Sequence, residues 1–98
     1  MTLMFPKDNT YRSEEWRRAV ADLGCVYCGR ASQAAHRNKG KGTGFKTDDC
    51  QTAALCPDCH HEIDNGKTMT REQRRARMDE AIVLTVTALV RRGVLRIA

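Results

Sequence analysis

Two Cys-x-x-Cys pairs, Cys25-Val26-Tyr27-Cys28 and Cys56-Pro57-Asp58-Cys59, constrain this chain more than any other feature. Four thiolates at about 2.3 Å complete a tetrahedral zinc shell and leave no position for water, so Cys25, Cys28, Cys56 and Cys59 read as a structural Zn²⁺ site. A disulfide pair or free buried thiols are the alternatives, and the doubled spacing favours the metal. A chain of 98 residues makes one domain, 1–98, whose thin core calls for a staple. Structural zinc contributes roughly 10 to 16 kcal/mol in finger peptides at neutral pH, more than a domain of this size is expected to hold in net stability. Metal removal is therefore expected to unfold the middle of the protein. The remaining cysteine, Cys50, lies beside an apolar run and reads as a small buried hydrophobe.

Charge points to a partner. Lys and Arg number 17 against 12 Asp and Glu, a formal +5, which favours a polyanion such as DNA. The opening Met1-Thr2-Leu3-Met4-Phe5-Pro6 is too short for a signal peptide, and no apolar run approaches the roughly 18 residues of a membrane span. The expectation is a cytoplasmic protein without a membrane partner, where cysteines serve as metal ligands before they serve as disulfides.

Residues 1–12 read as an N-terminal arm. A helix should follow from Ser13 as N-cap, with Glu14 and Glu15 in its first turn, Trp16, Val20 and Leu23 as its buried stripe, and Arg17 and Arg18 facing outward. Gly24 closes it in the left-handed conformation, and Cys25 to Gly29 form a metal-binding knuckle. The stretch from Gly29 to Leu55 is longer than the roughly 15 to 20 residues of a simple zinc ribbon, so something is built between the pairs. Gln33-Ala34-Ala35-His36 fits one strand of a hairpin and Cys50 to Leu55 the other. Arg37 to Lys46, with three glycines and the cations Arg37, Lys39, Lys41 and Lys46, reads as a basic loop.

A short helix is expected from Cys59 to Asn65. Thr70-Arg71-Glu72-Gln73 has the form of a capping box, opening a long helix over 70–92 with Gly93 as its stop and an extended tail from Val94 to Ile97. Met78, Ile82, Thr85, Val86, Leu89 and Val90 share one broad face of that helix, which reads as core while leaving a homodimer open. Arg71, Arg74, Arg75 and Arg77 crowd its first turns, a solvated charge run or a DNA contact.

His36 after the first strand, Asp49 before the second and His60 fused to the second knuckle form a pattern that resembles the HNH, or ββα-metal, endonuclease family. The resemblance covers Cys25 to about Asp64. More closely, Ala34-Ala35-His36-Arg37-Asn38, Asp48-Asp49-Cys50 and Leu55-Cys56-Pro57-Asp58-Cys59-His60-His61-Glu62-Ile63-Asp64 are similar to small phage and prophage HNH-like nuclease proteins. The resemblance implies an α+β fold: a zinc-stapled ββα-metal, treble-clef-type core over 25–65 between an N-terminal helix and a long C-terminal one. It implies His36 as general base, Asp49 near the central polar position, and His60 as ligand of a catalytic Mg²⁺ or transition ion facing His36.

Helix spacing adds Asp64, four residues from His60 and on the same face, as the second ligand, with His61 a weaker choice. Many HNH enzymes carry an acidic ligand immediately before the base histidine, where this chain has Ala35. The ion would then depend on His60, Asp64 and Asp49, with water and phosphate completing the shell.

These residue types suit hydrolysis of a phosphodiester: a neutral imidazole takes a proton from water near pH 7, and a divalent ion stabilises charge on the phosphate. The expected function is metal-dependent DNA cleavage, with Arg37, Lys39, Lys41 and Lys46 on backbone phosphates, contacts that position without reading sequence. The rival readings are a zinc-dependent DNA-binding or adaptor module that does not cleave, and a protein-binding zinc domain presenting the broad apolar helix. His36 as a packed histidine, Asp49 as a turn cap, and His60 as a zinc ligand are the plainer roles for the same residues.

Overall fold

The computed structural model describes residues 10–37 and 47–98; Lys39, Lys41, Lys46 and most of the expected N-terminal arm lie outside the described residues. The order of elements is α1 (Glu14–Ala21), β1 (Gln33–His36), β2 (Thr52–Leu55), α2 (Pro57–Asn65) and α3 (Arg71–Arg91), an α+β arrangement of one two-stranded sheet and three helices.

Each helix begins where its sequence provides a cap. The Ser13 hydroxyl accepts from the Trp16 amide at 3.1 Å. At Thr70 the capping box is complete, with hydroxyl and Gln73 side chain each serving the other's backbone amide. The α2 helix starts at Pro57, two residues earlier than the sequence suggests, because Cys56 serves as its N-cap and Pro57 supplies a first-turn residue that needs no donor. It ends at Gly66, which is buried so closely that a Cβ there would run into the Glu62 carbonyl.

The strands pair antiparallel with Gln33 opposite Leu55, Ala34 opposite Ala54, Ala35 opposite Ala53 and His36 opposite Thr52. Alternation divides the core into two clusters. Ala34 and Ala54 pack with Val20 and Leu89, and Trp16 and Leu23 of the α1 region lie against this face. Ala35, Ala53 and Leu55 pack on the other face with Cys25, Cys56, Ile63, Met78 and Ala81. The α3 helix serves both clusters, its first half through Met78 and Ala81 and its second through Leu89. Thr85 holds it against β2: its hydroxyl accepts from the Ala54 amide at 2.9 Å and donates to the Ala81 carbonyl at 2.7 Å.

Three further features differ from expectation for local reasons. The second strand starts at Thr52 rather than Cys50, because Asp49 and Cys50 form a turn closed by the Gln51 amide on the Asp48 carbonyl at 3.0 Å. Val90, expected with the buried face of α3, is 54% exposed; the core-facing stripe is Met78, Ala81, Thr85 and Leu89. Val94 to Ile97 do not continue as an extended strand. Gly93, at φ 73, reverses the chain so that the amides of Val94 and Leu95 both reach the Leu89 carbonyl, and Leu95 returns to the second cluster. Among the described residues, no helix is long and apolar enough to cross a membrane.

Candidate metal and catalytic centres

Gly29, at φ 76, lets the first knuckle double back, and its amide reaches the Cys25 carbonyl at 2.9 Å. The second pair straddles the N-terminus of α2. The four sulfur atoms all lie within 4.8 Å of one another, and the Cys28 and Cys56 sulfurs approach to 3.4 Å. Ligands at about 2.3 Å around a tetrahedral zinc stand roughly 3.8 Å apart, so the cluster fits the ion the sequence calls for. Without a cation the cluster favours one thiolate among thiols: a backbone hydrogen bond from Arg30 lowers the Cys28 thiol, but its Cys56 and Cys25 sulfur neighbours outweigh it and, as at Cys59, the group is raised. Burial pushes the Cys25 thiol up, but backbone hydrogen bonds from Cys56, Tyr27 and Cys28 outweigh it and hold the group down to about 6. Burial and the neighbouring sulfurs push Cys59 up to about 12 in the absence of a cation. Among the described residues, the four cysteines are the one group of three or more such side chains with ligand atoms this close together.

The knuckle is also tied to α3. The Tyr27 hydroxyl donates to Glu80 Oε1 at 2.6 Å, and the Arg77 guanidinium lies 3.8 Å from the centre of the Tyr27 ring. Arg77, one of the charge run at the start of α3, therefore has a structural role. Cys50 lies outside the cluster, but it is only half-buried and sits in the turn before β2 rather than being a buried residue of the strand.

His36 and Asp49 meet at the far end of the hairpin. His36 Nε2 lies 2.8 Å from Asp49 Oδ1, and the carboxylate is completely buried. It gathers further donors, Arg12 Nη1 at 3.0 Å on Oδ1 and the Ser13 amide at 2.8 Å on Oδ2, and Arg17 Nε forms an ion pair with Oδ2 at 3.1 Å. Burial raises the carboxyl's affinity for a proton, but the bonds from His36, Ser13 and Arg12 and the charge of Arg17 overcome it and bring the pKa to about 2. Asp49 is therefore an acceptor only, so His36 Nε2 carries a proton toward it and the neutral ring's lone pair lies on Nδ1. Asp49 is more than a turn cap: with the Tyr11 carbonyl accepting from its amide at 3.0 Å, it fastens the segment before α1 to the hairpin.

On α2, His60 Nε2 stands 3.0 Å from Asp64 Oδ2, the one-turn pair the spacing predicts. Gln33 Nε2 lies 2.8 Å from His60 Nδ1, a partner the sequence reading did not supply. Both side chains of the His60–Asp64 pair are about a quarter exposed. Ligands at about 2.1 Å and right angles around an octahedral ion are roughly 3.0 Å apart, so two adjacent positions of a hard-cation shell fit this pair. His60 is absent from the cysteine cluster, which removes its alternative role as a zinc ligand. His61 is exposed and takes no part in the pair.

The two polar sites do not face each other across one surface. Register puts His36 on the α1 face with Thr52, whereas Gln33 and Ala35 lie on the α2 face with Leu55 and Ala53. The expected ion facing His36 is corrected accordingly: the His60–Asp64 pair and His36 flank β1 from opposite sides, and Asp49 is committed to His36 rather than to the ion. Ala35, where many HNH enzymes have an acid, is fully buried on the α2 side.

Arg37, expected on phosphate, instead makes a two-point pair with Asp79 of α3, Nε to Oδ1 at 2.6 Å and Nη2 to Oδ2 at 3.2 Å, and this partner raises its pKa. Arg12 and Arg17 were the missed residues. Nothing in a helical periodicity shows that an arginine on the outer face of α1 will bend back to a carboxylate after the hairpin loop.

A profile of the family described as "Protein of unknown function (DUF968)" matches residues 1–87. No curated protein matches the chain. No solved structure matches it either.

Proposed function

The chain belongs to the DUF968 family, and because that description assigns no activity, we propose a function from the sites themselves: a zinc-stapled, metal-dependent phosphodiesterase of the HNH type that cleaves DNA. The observation that carries the reading is the half-exposed His36 held at Nε2 by a buried, ionised Asp49. A base needs a fixed ring and a free lone pair, and this pairing supplies both. In the proposed reaction Nδ1 of His36 takes a proton from water as its oxygen bonds to phosphorus and the bond to the leaving sugar oxygen breaks; solvent returns a proton to that oxygen. The imidazolium then formed stays beside the Asp49 carboxylate, which stabilises it. A divalent ion held by His60 and Asp64 would sit across β1 from His36, so it would have to neutralise charge on a neighbouring part of the bound backbone rather than on the phosphate that His36 serves. The Gln33 amide lies on the ring's other nitrogen; turned so that its oxygen accepts from Nδ1–H, it would leave Nε2 for the ion, the usual job of a residue behind a metal-ligating histidine.

A second reading has its own support: a zinc-dependent DNA-binding module of the same fold without cleavage. Ala35 gives the ion no acidic ligand on β1, and the two polar sites lie on opposite faces of that strand. Supercoiled plasmid with added Mg²⁺, Mn²⁺ or Ni²⁺ separates the two. The nuclease reading expects nicking by the wild type and at least a hundredfold less by His36→Ala, the scale of a lost general base. Equal nicking by the two proteins, or none by the wild type with any ion, would leave only the binding module.

A further inference from the structure

The donors around Asp49 exceed what the carboxylate requires. Arg18, Arg30, Arg37 and Arg77 each pair with a different carboxylate, those of Glu14, Asp58, Asp79 and Glu80. Asp49 instead takes two guanidinium groups, one on each oxygen, along with His36 and the Ser13 amide. One arginine would neutralise it. Around Asp49 itself the second guanidinium is surplus; the neighbouring acid in the chain, Asp48, bonds the Tyr11 amide one residue before Arg12.

The excess is also accessible. The Asp49 side chain is wholly buried, yet the side chains of Arg12 and Arg17 are 46% and 47% exposed. A guanidinium has five N–H donors, and these contacts with Asp49 use Nη1 of Arg12 and Nε of Arg17. Arg12 is hydrogen-bonded and Arg17 ion-paired there, so both guanidinium groups meet the carboxylate that orients His36 while about half of each side chain stays exposed. A fixed fork beside a base is the geometry that recognises a phosphate oxygen pair.

We propose that Arg12 and Arg17 are a phosphate clamp: anchored on Asp49, they bind a backbone phosphodiester of nucleic acid next to His36. The clamp takes the place in the site that Arg37 gives up by pairing with Asp79. It rests on the reading that the His36 face works on nucleic acid, and it adds the residues that seat the substrate there. The arginines are substrate-binding residues, and Asp49 positions them and the base together.

The test is binding of a short labelled duplex to the zinc-loaded full chain, without added divalent ion, over a range of salt. Replacing both arginines (Arg12→Gln with Arg17→Gln) should lower the slope of log affinity against log salt by about one, the value for one phosphate, and weaken binding at low salt at least tenfold. The double lysine variant, which keeps both charges, should restore the slope. Arg17→Gln alone, which leaves Arg12 on Asp49, should weaken low-salt binding about threefold and serves if the double variant does not fold.

An unchanged slope and affinity in a glutamine variant that retains zinc and its melting transition overturns the clamp. So does arginine-dependent binding to anionic phospholipid vesicles with none to the duplex. Arginine-dependent duplex binding without plasmid nicking upholds the clamp and defeats cleavage; nicking with unaltered binding in the glutamine variants does the reverse.

Discussion

Cys25, Cys28, Cys56 and Cys59 converge on a point where every ligand atom is directed inward and two of the four residues are buried. His36 and Asp49, at the opposite end of the hairpin, form a group that is buried at the carboxylate and about half in water at the arginines. The first arrangement satisfies itself once a cation is present; the second retains donors and a lone pair that, among the described residues, the contacts around Asp49 do not use up. A saturated site holds the chain together and an unsaturated one meets something outside it. That difference, rather than the residue types alone, separates the frame from the chemistry.

The comparison breaks first if zinc is dispensable. Cys56→Ser or a strong chelator should abolish the cooperative melting transition, because the metal's roughly 10 to 16 kcal/mol exceeds what remains of a domain this small. Circular dichroism with zinc analysis checks it.

Asp49→Asn should come next, destabilising by about 2 to 4 kcal/mol in urea unfolding, since it leaves Arg12, Arg17 and the Ser13 amide facing a group that no longer balances them. Acid should show the same contact more gently. The Asp49 carboxyl is depressed from 3.8 to about 2 in the folded protein, so its contribution is complete above pH 4 and is lost as pH falls through about 2. Acid also protonates the zinc ligands in both proteins, so the contact is read as the gap between wild type and Asp49→Asn, which should narrow by up to about 2 kcal/mol as pH falls into that window.

Thr85→Val should cost about 1 to 3 kcal/mol, because it strips the acceptor from the buried Ala54 amide while leaving both ends of the hairpin chemically intact. Smallest of all is Glu14→Ala. Its pair with Arg18 is exposed on both sides, and the change should stay within about 0.5 kcal/mol.

The frame was legible in the sequence because its signals are local. Cys-x-x-Cys spacing, the Ser13 and Thr70 caps, Gly24 and Gly93 as left-handed stops, and the one-turn His60–Asp64 pair each depend on a few neighbouring residues. The cluster of four cysteines, the two-stranded sheet and the helices on either side follow from them. What could not be read joins distant parts of the chain.

Arg12 and Arg17 meet Asp49, Gln33 meets His60, and Arg37 leaves the basic loop for Asp79, all across separations that no periodicity encodes. The placement of His36 and His60 on opposite faces of β1 depended on a register that a strand of four residues does not announce. Val90 was misplaced because the long α3 stripe is only as wide as a two-stranded sheet can cover.

The proposed nuclease requires one closed zinc frame and a separate, exchangeable ion position at His60 and Asp64. Titrating Mn²⁺ into zinc-loaded protein by calorimetry, with zinc content measured before and after, tests it without relying on cleavage. The account predicts one Mn²⁺ site in the wild type, its loss in the His60→Ala, Asp64→Ala double variant, and one zinc per chain throughout. Mn²⁺ binding that survives in the double variant, or zinc that departs with His60, would contradict it.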